Sequence, residues 1–120
     1  MDFSRLSERQ EENGEPGQME IKVAREAQKV RIAISGSIDE VGAQKLDSSL
    51  RSIDAKATGE VIFDFKHIDY IGSAGIGVIL LFYKRLGFHG GRIAIENIPN
   101  ELYTLLADEM NLRRAFSLSC

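Results

Sequence analysis

Apolar residues alternate with polar ones twice near the start of the chain, first at Ile21 and Val23 and then at Val30, Ile32 and Ile34. A period of two predicts strands with one buried face, and residues 25–28 supply a hairpin connection. Gly36-Ser37-Ile38-Asp39 ends the alternation, after which Val41, Leu46, Leu50 and Ile53 predict a helix capped by Asp39 and ending near Ala55. Gly59 precedes EVIFDF, whose near-continuous apolarity predicts a central strand covered on both faces. A second helix is expected from near Ser73 to about Gly87, and Gly90-Gly91 then turn the chain into RIAIE, another interior strand. Asn97-Ile98-Pro99-Asn100 start a third helix over Leu102, Leu105 and Leu106, with Pro99 near its first turn. The closing NLRRAFSL is expected to add a short strand or helix.

Strands that alternate with helices imply right-handed crossovers and a parallel sheet. The fold class is therefore α/β: a mostly parallel central sheet of four to five strands, with about four helices packed mainly on one face. Loops that carry function gather at the carboxyl ends of such strands. The segment between Asp64 and Ser73 leaves that end of an interior strand, which places GSAG at the same edge. No internal repeat is present.

Charge changes the picture at one place. Residues 1–18 carry Asp2, Glu8, Glu11, Glu12 and Glu15 against Arg5 and Arg9, and so hold almost all of the net charge of -3. This polar stretch cannot bury enough surface to offset its ordering entropy, so a disordered acidic tail is expected over 1–18 and one domain over 19–120. Met19 is a candidate alternative start of translation. The near-neutral remainder offers no basic stripe for nucleic acid. The longest uncharged apolar stretch, residues 70–83, is too short to span a membrane, and MDFSRLSERQ lacks the order of a secretory signal. A cytoplasmic location without membrane insertion is expected. Cys120, the single cysteine, has no partner within the chain.

The stretch HIDYIGSAGIGV is where chemistry would sit. A nucleophile elbow needs glycine two residues before the serine, where Ile71 stands. The order G-x-x-G-x-G fits neither dinucleotide nor phosphate-loop patterns. His67 and His89 form no triad pattern, and Asp39, Asp64 and Asp69 have no histidine or third carboxylate at metal-ligand spacing. No enzymatic activity, cofactor or metal is expected. Ser73 is then either a structural residue of a helix start or a modification site. Gly75 and Gly77 together cost roughly 1.6 to 2 kcal/mol of helix propensity relative to alanine. Close packing on the sheet, or a partner that must approach a bare surface, would offset that cost.

At these residues the chain resembles the STAS domain family of bacterial anti-sigma factor antagonists. FDFKHIDYIGSAGIGVILLFYKRLGFHGGRIAIENIPNELYTLLADEMNLRRAF carries the similarity, which extends back through ISGSIDEVGAQKLDSSL to about Met19. The family pattern of an aromatic or aliphatic pair followed by Asp-Ser-Ser/Thr-Gly-Leu-Gly-Val lies over Tyr70, Ile71, Gly72, Ser73, Ala74, Gly75, Ile76, Gly77 and Val78. Gly36 and Asp39 match a nearby Gly-x-Leu-Asp loop. The resemblance implies a partner-binding surface made by Gly36, Asp39 and residues 70–77, with Ser73 as the phosphorylated serine. It implies a partner switch in which an anti-sigma factor serine kinase binds the antagonist, releases a sigma factor and phosphorylates Ser73, and a serine phosphatase reverses the modification. Gly72 departs from the pattern where many antagonists carry aspartate, and Ala74 replaces the second hydroxyl residue. The alternative is a non-phosphorylated STAS subunit of a lipid-transport ATPase, in which Ser73 merely caps its helix. A small nucleotide-binding protein is a third possibility, opposed by the missing phosphate loop. Without a heptad seam, a monomer is expected.

Overall fold

The computed structural model describes residues 19–109, 111–114 and 116–120. The tail expected over residues 1–18 lies outside them.

Alternation locates the first two strands, but only β2 has the expected buried face, since in β1 Ile21 is half-buried and Val23 is exposed. β1 (Glu20–Glu26) and β2 (Lys29–Ile38) pair antiparallel around Ala27 and Gln28. Ala27 takes a φ of 55°, a left-handed turn conformation uncommon for a residue with a Cβ. Then follow α1 (Glu40–Arg51), β3 (Glu60–Ile71), α2 (Ser73–Phe88) and β4 (Arg92–Glu96). The chain closes with α3 (Asn100–Thr104), a π-helical turn over Leu105–Glu109, a 3-10 turn over Leu112–Arg114 and β5 (Ser117–Leu118). The strands lie in sequence order in one sheet, and every pair except β1 with β2 is parallel.

The described residues hold three α-helices, where about four were expected; within NLRRAFSL, Leu112–Arg114 form a 3-10 turn and Ser117–Leu118 the short strand β5. The first helix stops at Arg51 with Ser52 as its C-cap, four residues before Ala55. There the Ser52 and Ile53 amides turn back to Ser49 and Leu50.

Register explains why one face of the sheet is covered. Val30, Val61 and Ile93 align across β2, β3 and β4, as do Ile32, Phe63 and Ile95, and all six side chains are buried. Phe82 of α2 meets Phe63 edge-on at 6.5 Å, and Tyr83 meets Phe116 at 5.3 Å, so the helices lie over this face. Burial at roughly 1.5–3 kcal/mol per large side chain makes this layer the main source of stability.

The opposite face differs from the sequence-based expectation for EVIFDF. There Glu60, Ile62 and Asp64 alternate, and only Ile62 is buried. Glu60 pairs with Lys29 at 3.6 Å and Arg92 at 3.4 Å, and Arg31 bridges Asp64 at 3.6 Å and Glu96 at 2.9 Å. A one-sided sheet can keep such ion pairs in water. The run reads as apolar because Val61, Phe63 and Phe65 face the helices while Ile62 fills the centre of the charged face. Burial by itself would raise the Asp64 carboxyl. Donation from Asn97 Nδ2 and the Lys66 amide, with the charges of Arg31 and His67, outweighs it and holds that carboxyl below its ordinary value.

Candidate functional site

β2 and β3 end together, with Ile38 opposite Ile71, and each leads directly into a helix. β3 runs to Ile71, well past the Asp64 where the sequence suggested the chain leaves the sheet, so GSAG follows the strand without a loop. The Gly72 amide donates to the Ile38 carbonyl at 3.0 Å, which fixes the start of α2 against that of α1. Two register shifts, opposite Ala33–Ser35 and Gly36–Ser37 of β2, each set an extra residue of β3 against its neighbour and bend the strand pair near its end. Gly36 supplies the φ of 91° that this bend uses.

Asp39, Tyr70, Gly72, Ser73 and Ala74 come together around one open cavity of about 580 Å3, joined by Glu40 and Val41. Asp39 caps α1 as the sequence indicated, its Oδ1 accepting from the Gly42 amide at 2.8 Å. Ser73 does not cap α2. Gly72 holds the N-cap position in extended conformation, no side chain among the described residues caps that end, and Ser73 is the first helical residue, exposed to solvent. A helix start leaves its first amides without intrahelical partners and carries about half a positive charge. Around α2 that polarity faces the cavity uncovered, whereas Asp39 and Glu40 make the α1 side of the cavity acidic.

Ile71, Gly75 and Ile76 of the proposed surface lie beneath it, buried. A Cβ on Gly75 would stand 2.5 Å from Ile38 Cγ2 and 3.1 Å from Ile71 Cγ1, so packing of the first turn on the strand ends requires glycine there. A Cβ on Gly77 would meet nothing within 4 Å. The glycine cost noted from the sequence is thus offset by packing at Gly75 alone. Gly72 is confined differently, since a Cβ there would lie 2.8 Å from Tyr70 Oη.

Val41, one of the apolar residues that predict α1, lies in that helix but is 73% exposed, and Tyr70 is 55% exposed beside the same cavity. The spacing held the signal: Leu46, Leu50 and Ile53 are separated by four and three residues, whereas Val41 precedes Leu46 by five. Glu40 gave no sequence signal beyond its place after the cap. Among the described residues no group of three or more His, Cys, Asp or Glu is placed to hold a metal ion, and no helix is long and apolar enough to cross a membrane.

The geometry is that of a small α/β domain that presents an uncapped helix start at the carboxyl edge of a one-sided sheet. The chain belongs to the STAS domain family, whose profile matches residues 18–116. Its fold is similar to that of the anti-sigma factor antagonist SpoIIAA in its unphosphorylated form, with TM-score 0.69 and 15% identity over 84% of this chain and 89% of that one. The phosphorylated form of SpoIIAA, the Bacillus cell fate determinant, matches with TM-score 0.66 and 16% identity over 84% and 92% of the two chains. An anti-sigma factor antagonist from Mycobacterium paratuberculosis matches with TM-score 0.70 and 20% identity over 89% and 90%. The murine Slc26a9 anion transporter shares the fold at TM-score 0.56 and 16% identity, over 81% of this chain and 17% of the transporter.

Proposed function

We propose that this protein is an anti-sigma factor antagonist that docks an anti-sigma factor serine kinase through the start of α2, and that phosphorylation of Ser73 by that kinase ends the complex. The uncapped start of α2 carries this reading: Ser73 is exposed on an otherwise neutral turn, between the exposed apolar side chains of Val41 and Tyr70. Similarity to antagonists, among them one known in both phosphorylation states, supports it. A phosphoryl group on Ser73 would add about two negative charges beside free amides, which the fold tolerates. The same charges would face Asp39 and Glu40 across the cavity and would present a docked partner with an anion on a helix turn that had been uncharged. A switch of this kind needs only a difference of a few kcal/mol in the partner's affinity for the two forms. The protein acts as substrate and ligand, monomeric and cytoplasmic, with no catalysis or cofactor of its own, and a serine phosphatase restores it.

A second reading keeps the docking surface and drops the switch. Ala74 leaves one hydroxyl where the family pattern has two, and Gly72 stands where many antagonists carry aspartate. A STAS subunit attached to a transporter, including one of the lipid-transport ATPase type, would need no more than this surface.

Affinity capture from native lysate with wild type, Ser73→Ala and Ser73→Asp separates the two, together with phosphopeptide mapping of the wild type. A kinase-fold ATPase held by Ser73→Ala and lost with Ser73→Asp is the expected result. Equal retention of one partner by all three baits, with Ser73 unmodified, would establish the unswitched module.

A further inference from the structure

Among the described residues five large apolar side chains stay exposed, and four of them, Val41, Tyr70, Leu81 and Phe88, follow one line across the helical layer. Val41 and Tyr70 line the Ser73 cavity together with Ala74. From Ala74 an outer stripe of α2 runs through Gly77, Leu81, Lys84 and Phe88, at spacings of three and four residues in turn that keep to one helical face, and none of the five is buried. Leu81 is 67% and Phe88 84% exposed. A continuous apolar line of this kind marks a surface on which another macromolecule docks.

The stripe is complementary to itself when reversed. Leu81 stands at its middle, seven residues from Ala74 on one side and from Phe88 on the other, about 10 Å each way along the helix axis. The first half is small, because Ala74 carries one methyl and the place of a Cβ on Gly77 is open space, whereas the second half carries Lys84 and the Phe88 ring. The ends also differ in charge: the last turn of α2 is basic through Arg85, while Asp39 and Glu40 make the cavity beside its first turn acidic. An antiparallel second copy sets large against small and basic against acidic, and a two-fold axis does so at both ends.

We propose that two copies of this chain associate through the outer faces of α2, antiparallel about a two-fold axis at Leu81. Leu81 then packs on Leu81 of the second copy, and Phe88 of each copy covers Ala74 of the other and enters the cavity that Val41 and Tyr70 line. One helix face per copy buries less than the roughly 1,200 Å2 at which specific, stable interfaces begin, so the dimer forms and dissociates readily. It also closes the cavity from which Ser73 is reached. The monomer is accordingly the form that presents Ser73 to a partner, and a phosphoryl group set against the Phe88 ring of a second copy would oppose reassociation. These last two consequences rest on the docking function proposed above; the self-association does not.

Sedimentation equilibrium of the full chain carrying Cys120→Ser measures the association without stray disulfides. The weight-average mass should climb from 13.3 kDa toward twice that value between about 10 µM and about 1 mM. Leu81→Lys, which sets two like charges across the axis, and Phe88→Ser should each hold the protein monomeric over the same range. Leu81→Cys in the Cys120→Ser chain should form an intermolecular disulfide severalfold faster than Val23→Cys, an exposed site on β1 away from the stripe. A mass fixed at 13.3 kDa throughout, an undiminished association in Leu81→Lys, or equal crosslinking from positions 23 and 81 would each overturn the proposal. Self-association together with equal retention of one partner by all three Ser73 baits would keep the dimer and reject the switch, whereas a strict monomer whose capture depends on Ser73 would do the reverse.

Discussion

The two helices that leave the carboxyl edge of the sheet start side by side and are finished in opposite ways. α1 begins behind Asp39, whose carboxylate takes the Gly42 amide, and Glu40 adds a second negative charge to its first turn. α2 begins behind Gly72 with neither a side-chain cap nor an acidic residue in its first turn. Capping contributes about 1 kcal/mol, so α2 forgoes a stabilisation that its neighbour takes. What compensates is burial: Ile76, Ile79, Phe82 and Leu86 anchor α2 on the sheet, and helices in proteins owe most of their stability to such packing. An open helix start can be kept where the body of the helix is well anchored, and its unsatisfied amides remain accessible to an incoming anion.

Gly75→Ala should break the arrangement most. Its methyl would press on Ile38 and Ile71, the residues that join the two helix starts, and overpacking of this kind costs about 1–3 kcal/mol. Gly77→Ala, two residues on with empty space around it, should instead gain close to the propensity difference, about 0.8–1 kcal/mol. Urea unfolding of both variants checks the pair, and a shift of the same sign in each would show that the two glycines share one role. Asp39→Ala removes the cap of α1 and should cost about 1 kcal/mol. A negligible loss there would mean that the two helix starts do not differ energetically.

A smaller effect concerns the strand that feeds α2. The folded state holds the Asp64 carboxyl below its ordinary value, so the ionised form stabilises the protein above the usual carboxylate range, and that contribution is lost as pH falls through the lowered value. Asp64→Asn should therefore be less stable than wild type at neutral pH, with the gap closing in acid. A gap independent of pH would assign the loss to packing and hydrogen bonds alone.

Much of this was legible in the chain. Alternation located β1 and β2, and the Asp39 signal placed the cap of α1, because both are local patterns that tertiary contacts reinforced. EVIFDF was harder. Its apolar run is compatible with cover on both faces, and only the cross-strand partners of Glu60 and Asp64, brought from β2 and β4, show that one face stays in water. The exposure of Val41 was illegible for a related reason: an apolar residue in the first turn of a helix fits a core stripe or an exposed edge, and the cavity that distinguishes them is built from residues about thirty positions away. Ser73 as the first helical residue, with Gly72 as the cap, was within the error of any boundary drawn from sequence.

Gly72→Asp is the finest probe of the contrast, because it would give α2 the cap residue that α1 already has. The gain should be only a few tenths of a kcal/mol, since glycine is itself tolerated at an N-cap. Part of that gain is lost because the new Cβ would lie 2.8 Å from Tyr70 Oη and force the ring aside. The ring is half exposed and the clash involves its far end, so it can move at little cost. Tyr70→Ala should therefore release the rest of the gain, and the double variant should exceed the sum of the two single changes in thermal unfolding. Simple additivity would mean that Tyr70 does not confine the cap position, and that glycine stands at position 72 for another reason.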